Sequence, residues 1–205
     1  MGEAVQKPRD AVLGVIAVDK PHWYVVQVET GREQKACEAI LRACEQEDSQ
    51  AEGDVPVVRE VFSPRYQSRF KLHGKWHDEE RQLLPGYVVA VTAEPARLAR
   101  VLRGVLGFTR ILTTGETFAP LKEEDRGWIE RWTKEGDRTI PMSIAYKEGD
   151  TVVVTDGPLK GREGLIKKIK RRQCVVEVEI HAGAITIRTT VGLAVLPSKQ
   201  EEGKE

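Results

Sequence analysis

The N-terminal half of the chain alternates between two kinds of hydrophobic pattern. Trp23 to Val28 is an uninterrupted run of mainly apolar residues, which predicts a strand. Apolar residues then recur every three to four positions, including Ala36, Cys37 and Ile40, which predicts a helix with one buried face. The same alternation continues as far as Leu112. It predicts a small α/β domain in which helices flank a sheet.

Local signals predict where two of these elements begin or turn. Thr30 and Glu33 have the spacing of a capping box, in which each side chain bonds the other residue's amide, so a helix should begin here. The segment "RYQSRFKLHGKWHDEERQ" predicts a hairpin whose turn lies near His73 and Gly74.

The C-terminal part has a different texture, with short apolar runs separated by turn residues. "TVVVT", "GLIKKI", "CVVEVEI", "AITIRTT" and "LAVL" predict the strands of a small barrel. Within the third run, Val176, Val178 and Ile180 alternate with Glu177 and Glu179, so one face should be core and the other solvent.

Pro141 and nearby glycines break the pattern between the two parts, and this predicts a linker. We therefore expect an α+β protein with two domains. The predicted ranges are a poorly ordered lead-in (1–21), a mixed domain (22–135), the linker (136–147), a barrel (148–198) and a charged tail (199–205).

Composition narrows the class of protein. Of the 205 residues, 40% are hydrophobic and 31% charged, which is typical of a globular chain. No apolar run reaches the roughly 20 residues of a membrane span, so we expect a cytoplasmic protein. We also expect a monomer. Cys37 and Cys44 lie two helical turns apart, about 10 Å and too far for a disulfide, so the cysteines are expected to be free core residues.

The zero net charge hides a local excess of cations. From Lys160 to Arg172 there are seven Lys or Arg residues and one acid, Glu163, a net of +6. Such a stretch is either a solvated strand edge or a surface for a phosphate backbone.

Catalytic chemistry finds little support in the sequence. Gly157 and Gly161 have three residues between them and lack the Gly-Lys-Ser/Thr ending of a P-loop, so these glycines and Pro158 are expected to form a turn. His73 and His77 have a metal-like spacing but lie across the predicted turn, without a third ligand pattern nearby. We therefore expect no enzyme activity, no cofactor and no metal.

Several motifs in order resemble one family. "WYVVQVETGREQKA", "FSPRY", "LLPGYVVAV" and "GVLGFTRIL" resemble the N-terminal NGN domain of NusG transcription elongation factors, and "GDTVVVTDGPLKGREGLIKKI" resembles their KOW motif. The resemblance covers about residues 23–196. It implies an NGN domain with an antiparallel sheet, linked to an SH3-like five-stranded KOW barrel.

The resemblance also implies a polymerase-binding surface. In the family an apolar face of the NGN domain docks on the clamp helices of RNA polymerase. Leu84 stands where many members have phenylalanine. The positions carried over by motif are Trp23, Phe62, Pro64, Arg65, Leu84, Pro85, Tyr87 and Phe108.

The KOW loop departs from the housekeeping pattern. Housekeeping members usually carry "GPF" and a further apolar residue there, used to bind the termination factor Rho or the ribosomal protein NusE. This chain has Leu159, Lys160 and Arg162 instead, and so is more similar to LoaP, an antiterminator paralogue whose KOW domain binds an RNA hairpin. A housekeeping role through Rho or NusE remains the alternative. The predicted RNA-binding residues are Lys160, Arg162, Lys167, Lys168, Lys170, Arg171, Arg172 and Arg188.

Overall fold

The structure is a computed structural model that describes residues 20–51, 55–107, 109–148, 151–170 and 174–196. Phe108, Arg171 and Arg172 lie outside the described residues, as do residues 1–19 of the predicted lead-in and the predicted tail. None of the described helices is both long and apolar enough to span a membrane.

Three α-helices and fourteen strands make up the described chain. In order they are β1 (His22–Gln27), α1 (Glu33–Gln50), β2 (Glu60–Phe62), β3 (Arg65–Leu72), β4 (Lys75–Gln82), β5 (Tyr87–Thr92), α2 (Pro95–Leu102), β6 (Arg110–Ile111), β7 (Thr113–Thr114), β8 (Thr117–Phe118), α3 (Glu123–Trp132), β9 (Thr139–Ile140), β10 (Ser143–Glu148), β11 (Thr151–Asp156), a 3₁₀ turn (Glu163–Leu165), β12 (Lys168–Lys170), β13 (Val175–Ala182) and β14 (Ile185–Leu196).

The N-terminal unit, residues 20–140, is built on a four-stranded antiparallel sheet in the order β2-β5-β1-β6. Side chains of a strand alternate between the faces of its sheet, so the sheet buries two sets of residues. Val26 lies in one apolar cluster with Ile40 of α1 and Leu98 of α2. Val25 and Val89 belong to a second cluster on the opposite face. This confirms the predicted antiparallel sheet with flanking helices.

Strands β3 and β4 form the predicted hairpin. They pair in register from Arg65↔Gln82 to Leu72↔Lys75. His73 and Gly74 have φ angles of 47° and 82°, the left-handed conformation that a two-residue hairpin turn requires at both central positions. At its other edge β3 begins beside β9, with Arg65 paired parallel to Thr139.

The predicted capping box is absent. Helix α1 begins at Glu33 with Arg32 as N-cap, and that N-cap makes no side-chain capping bond. The Glu33 carboxylate instead accepts hydrogen bonds from the amides of Gly31, at 3.0 Å, and Gly86, at 2.8 Å. Glu33 therefore joins the start of α1 to the loop before β5. A local sequence pattern could not reveal this role because Gly86 lies 53 residues away.

The C-terminal unit, residues 143–196, is a five-stranded sheet in the order β11-β10-β14-β13-β12, hereafter the barrel. The α+β class is confirmed, but the strands differ from those predicted. "AITIRTT" and "LAVL" form the single strand β14, and "GLIKKI" contributes only the 3₁₀ turn and β12. The fifth strand is β10, and all of it except Glu148 lies, with β9, inside the range predicted to be a linker. The buried positions of β10 are Ser143 and Ala145, whose small side chains give no hydrophobic alternation.

The barrel packs directly against the N-terminal unit. The indole Nε1 of Trp128 in α3 donates a hydrogen bond to the carbonyl of Pro158, at 2.8 Å. The hydroxyls of Tyr66 and Thr190 lie 2.6 Å apart. At Gly192 the backbones come so close that a Cβ would lie 1.9 Å from the Gln67 carbonyl oxygen. One apolar cluster runs through both units.

Candidate nucleic-acid and polymerase interfaces

The outer face of the barrel gathers part of the predicted cationic set. Val176, Val178 and Ile180 of β13 are buried, as predicted from their alternation, so the residues between them face outward. Glu177 pairs with Lys168, and Glu179 pairs with Arg188. Directly opposed residues share a face. We define the basic face as Lys167, Lys168, Lys170 and Arg188.

Two glutamates partly neutralise the basic face. Lys170 Nζ lies 3.0 Å from a Glu177 carboxylate oxygen. Arg188 Nε lies 3.3 Å, and Lys167 Nζ 3.9 Å, from oxygens of Glu179. Four cations against two acids leave an excess of two positive charges. Exposed ion pairs contribute little free energy, so a phosphate can replace these glutamates as the partner of a cation.

Several cations of the basic face lower the pKa of the same carboxyl group, that of Glu177. Its pKa is lowered, first by the hydrogen bond from Lys170 and further by the positive charges of Lys170, Lys168 and Arg188. These three side chains therefore create a common positive potential on the barrel surface.

Lys160 and Arg162 lie elsewhere, in the loop between β11 and the 3₁₀ turn. Gly157 and Gly161 have φ angles of 90° and 72°, and the amide of Lys160 donates to the carbonyl of Gly157 at 3.1 Å. The predicted glycine turn is thus confirmed. Among the described residues, neither Lys160 nor Arg162 makes an ion pair with Glu177 or Glu179, the acids that pair with the basic face.

The apolar residues of this loop are turned into the molecule. Leu159 is completely buried, and its amide donates to the Ser143 hydroxyl at 3.0 Å. A Cβ at Gly157 would lie 2.7 Å from the Cα of Ser143, so only glycine fits there. Together with the bond between Pro158 and Trp128, this leaves Lys160 as the exposed side chain at the loop's centre.

Most of the apolar residues predicted to contact polymerase are buried. Trp23 and Phe62 are 3% and 8% exposed and pack edge to face, with ring centroids 5.0 Å apart. Arg138 covers both rings, its guanidinium carbon lying 5.1 Å from the first centroid and 4.7 Å from the second. Its Nε donates to Glu60 at 3.0 Å. Sequence reasoning missed Arg138, which no motif marks.

The remaining predicted polymerase residues divide between core and surface. Pro64 and Leu84 are buried, Tyr87 is half-buried, and Arg65 and Pro85 are exposed. Thus the members of this set that the structure describes form no continuous exposed apolar patch.

Strand β14 covers part of this motif region. The Thr189 hydroxyl donates to the carbonyl of Leu83, and neighbouring Thr190 contacts the Tyr66 hydroxyl. Leu83 and Leu84 of "LLPGY" are completely buried in the apolar cluster that also contains barrel residues. The loop before β5 therefore lies at the boundary between the two units.

An open cleft of about 640 Å³ separates the basic face from the base of the β3–β4 hairpin. Tyr66 and Arg81 line it on the N-terminal side, and Lys170 and Arg188 line it on the barrel side. Tyr66 lies in the "FSPRY" motif, which offered a signal that the sequence reasoning did not assign to a site.

The two cysteines of α1 are buried and free. Burial raises the pKa of the Cys37 and Cys44 thiols to about 12, so both remain protonated at neutral pH. Both are free cysteines of the core, as predicted. In the described parts of the chain, no group of three or more His, Cys, Asp or Glu residues is placed to hold a metal ion.

The two parts of the chain match two known sequence families. The profile of the family described as "Transcription termination factor nusG" matches residues 21–129, and that of the KOW motif matches residues 148–181. The chain is similar to the Transcription termination/antitermination protein NusG of Rickettsia felis, at 24% identity over 77% of this chain and 80% of the relative. It is also similar to the protein of that name from Borreliella burgdorferi, at 28% identity over 77% and 89%.

A solved structure described as "Domain interaction in Thermotoga maritima NusG" matches with a TM-score of 0.48 and 19% identity, over 84% of this chain and 94% of that one. The first profile match covers more than half of the chain, and the KOW match falls on the barrel in the expected order. The chain therefore belongs to the NusG family of transcription factors.

Proposed function

We propose that this protein is a processive antitermination factor that holds elongating RNA polymerase through its N-terminal unit and a nascent RNA hairpin through its barrel. It would act in the cytoplasm, and recruitment by the hairpin would confine it to particular operons. The division into an NGN domain, a short connection and a KOW domain is part of this proposal.

The basic face carries the RNA half of the proposal. Its four cations lie on β14 and on or just before β12, the strands on either side of β13, and they give a net excess of positive charge. Duplex RNA is recognised largely through its backbone and shape, which such a face suits. Lys160 and Arg162 add cations on a second loop, and Arg171 and Arg172 follow β12 in sequence.

The proposed contact with polymerase requires the two units to rearrange. Of the residues carried over by motif, Arg65, Pro85 and Tyr87 are accessible as the molecule stands. Leu84 is buried and the neighbouring Leu83 is bonded to β14, so we propose that Leu84 becomes accessible when the barrel moves away from the "LLPGY" segment. Polymerase binding is therefore proposed to compete with the packing of the barrel.

A housekeeping role is the second candidate. The curated relatives are termination/antitermination proteins, and Glu177 and Glu179 already pair with cations of the basic face. In that role the barrel would bind Rho or NusE by protein contacts. The KOW loop would then supply less apolar surface than usual, because Leu159 is buried.

The decisive experiment uses stem-loops selected by the full chain from a random RNA hairpin library. Affinity for the selected hairpin is measured over a range of salt concentrations for the wild type and for Lys168→Gln/Lys170→Gln/Arg188→Gln. Each lost phosphate contact reduces the salt slope by about 0.7 to 0.9, so the triple variant should lose about 2 to 3 in slope. It should also bind the hairpin more weakly.

A matched control replaces exposed cations on other surfaces, Lys35→Gln/Arg103→Gln/Lys134→Gln, and should retain the wild-type slope. Read-through of a terminator should then require both the hairpin upstream and the basic face. No hairpin enrichment, together with capture of purified Rho or NusE by the full chain, would favour the housekeeping role instead.

A further inference from the structure

The tip of the β3–β4 hairpin, residues 69–77, exposes large apolar side chains that neither unit uses. Leu72 is 48% exposed and Trp76 is 51% exposed. An indole that is exposed to water on a projecting hairpin does not contribute the free energy that its burial would give to folding. Such exposed apolar side chains commonly mark a binding surface. The hairpin tip is therefore a candidate interface outside the basic face.

The charge of the hairpin tip indicates what kind of partner fits it. Arg69, Lys71 and Lys75 are its charged residues, and no acid occurs until Asp78, which pairs with Arg69. Lys71 and Lys75 make no ion pair among the described residues. Two unpaired cations beside an exposed indole are complementary to a polyanion that also carries flat apolar groups.

Cross-strand contacts hold the rings of the hairpin tip in place. Lys71 lies opposite Trp76 in the register, and its Nζ stands 5.8 Å from the centre of the indole ring. On the other face of the hairpin Phe70 lies opposite His77, with the rings stacked at 5.4 Å and 25°. The aromatic groups are thus partly ordered before any partner arrives, which lowers the entropic cost of stacking a base.

The position of the hairpin links its tip to the basic face. Strand β3 runs along β14, with Tyr66 against Thr190 and the Gln67 carbonyl against Gly192. The open cleft beside this contact carries Arg81 from the hairpin and Lys170 and Arg188 from the barrel. A chain of phosphates that leaves the basic face toward the hairpin tip therefore passes Arg81, which is paired with Glu79.

We propose that the hairpin tip binds unpaired RNA, with a base stacked on Trp76 and its phosphates near Lys71 and Lys75. The identification of RNA, rather than another polyanion, rests on the proposed function of the basic face. Aromatic side chains flanked by cations are the usual platform for single-stranded nucleic acid, since every base has a flat face that can stack. The unpaired strand next to the bound hairpin is the segment that reaches this surface.

The test measures binding of an oligouridylate of about 12 nucleotides to the full chain by fluorescence anisotropy. Stacking on one aromatic residue corresponds to a change in affinity of about 5- to 150-fold, so Trp76→Ala should weaken binding within that range. Trp76→Phe should retain most of the affinity, because phenylalanine still stacks. It should also lose most of the quenching of tryptophan fluorescence by the oligonucleotide.

The matched control is Trp132→Ala, which removes a tryptophan that is 36% exposed on α3 and should leave the affinity unchanged. Thermal unfolding of each variant verifies that it folds. Equal affinities for Trp76→Ala and Trp132→Ala would overturn the proposal. So would oligothymidylate binding more tightly than oligouridylate, which indicates single-stranded DNA as the ligand, or weakened polymerase capture by Trp76→Ala with unchanged RNA binding, which indicates a protein interface.

The two proposals fail independently in this design. Loss of oligouridylate binding in Trp76→Ala, with no effect of the basic-face triple variant on hairpin affinity, would remove the proposed function and keep the hairpin tip as an RNA site. The reverse pattern would remove the hairpin tip alone.

Discussion

The outer face of the barrel lies open to solvent, whereas the apolar motif residues of the N-terminal unit are largely enclosed. Lys168 and Arg188 keep their charges at the surface, where water solvates them. Trp23, Phe62 and Leu84 are within the core, where burial of their surface favours folding. The comparison teaches that the charged surface is accessible as the two units are packed, whereas most of the apolar motif residues are not.

The largest expected effect is on the free energy of unfolding and tests whether Leu84 is enclosed. Because the side chain is completely buried, Leu84→Ala should lower the free energy of unfolding by about 2 to 5 kcal/mol in urea denaturation. Leu196→Ala, at a side chain that is 40% exposed, is the control and should change it by only about 0.5 kcal/mol. Equal stability of the two variants would mean that Leu84 is exposed in solution.

A smaller change loosens the barrel. Trp128→Phe removes the donor to the Pro158 carbonyl and leaves a buried acceptor unpaired, a cost of about 1 to 3 kcal/mol. If the packed arrangement hides the polymerase surface, this variant should bind purified RNA polymerase more tightly than the wild type. Trp132→Phe, on the exposed side of the same helix, should not. Unchanged affinity in Trp128→Phe would separate polymerase binding from barrel packing.

Acidification should weaken the bonds of Glu33 to the loop before β5 and so lower the stability of the protein. Burial opposes ionisation of Glu33, but hydrogen bonds from the amides of Gly86 and Gly31 outweigh it, so its pKa is lowered. This contribution to stability is present above the unfolded pKa of about 4.3 and is lost as pH falls through the folded pKa. Glu33→Gln should therefore lower the free energy of unfolding by roughly 1 kcal/mol at neutral pH. The stability of this variant should also fall less steeply than that of the wild type as the pH is lowered.

Urea midpoints measured from pH 7 downward test this expectation. Glu38→Gln, at an exposed position of the same helix, is the control and should keep the wild-type acid dependence. An equally steep acid loss in Glu33→Gln would exclude Glu33 as its source.

The smallest expected effect is on the affinity of the basic face for RNA. Glu177→Gln/Glu179→Gln removes the acids that pair with the basic face and should raise affinity for the selected RNA hairpin severalfold. Replacing two exposed glutamates of the N-terminal unit, Glu116→Gln/Glu124→Gln, should have no such effect. Weaker binding by the first variant would show that the glutamates orient the cations for RNA.

Local pattern predicted those elements whose cause is local. The hairpin turn follows from His73 and Gly74, and the core face of β13 follows from the alternation of Val176, Val178 and Ile180. Strand β10 could not be predicted in this way, because Ser143 and Ala145 are buried without being strongly hydrophobic.

The candidate sites were predictable to the extent that strand register decides them. Pairing of β13 with its neighbours brings Lys168 and Arg188 to one face, whereas Lys160 is held in a separate loop. Burial of Leu84 could not be predicted, because its cluster joins residues of both units, and the neighbouring Leu83 is bonded to Thr189, 106 residues away.

At Gly192 the backbones of the two units are so close that only the hydrogen atom of a glycine fits between them. A methyl group there would lie 1.9 Å from a backbone oxygen of Gln67, and the main chain on both sides would have to yield. Gly192→Ala is thus a one-carbon wedge placed where strand β14 meets the hairpin. It offers a means to hold the molecule open without touching a charged or aromatic side chain, and so to isolate the separated form for study.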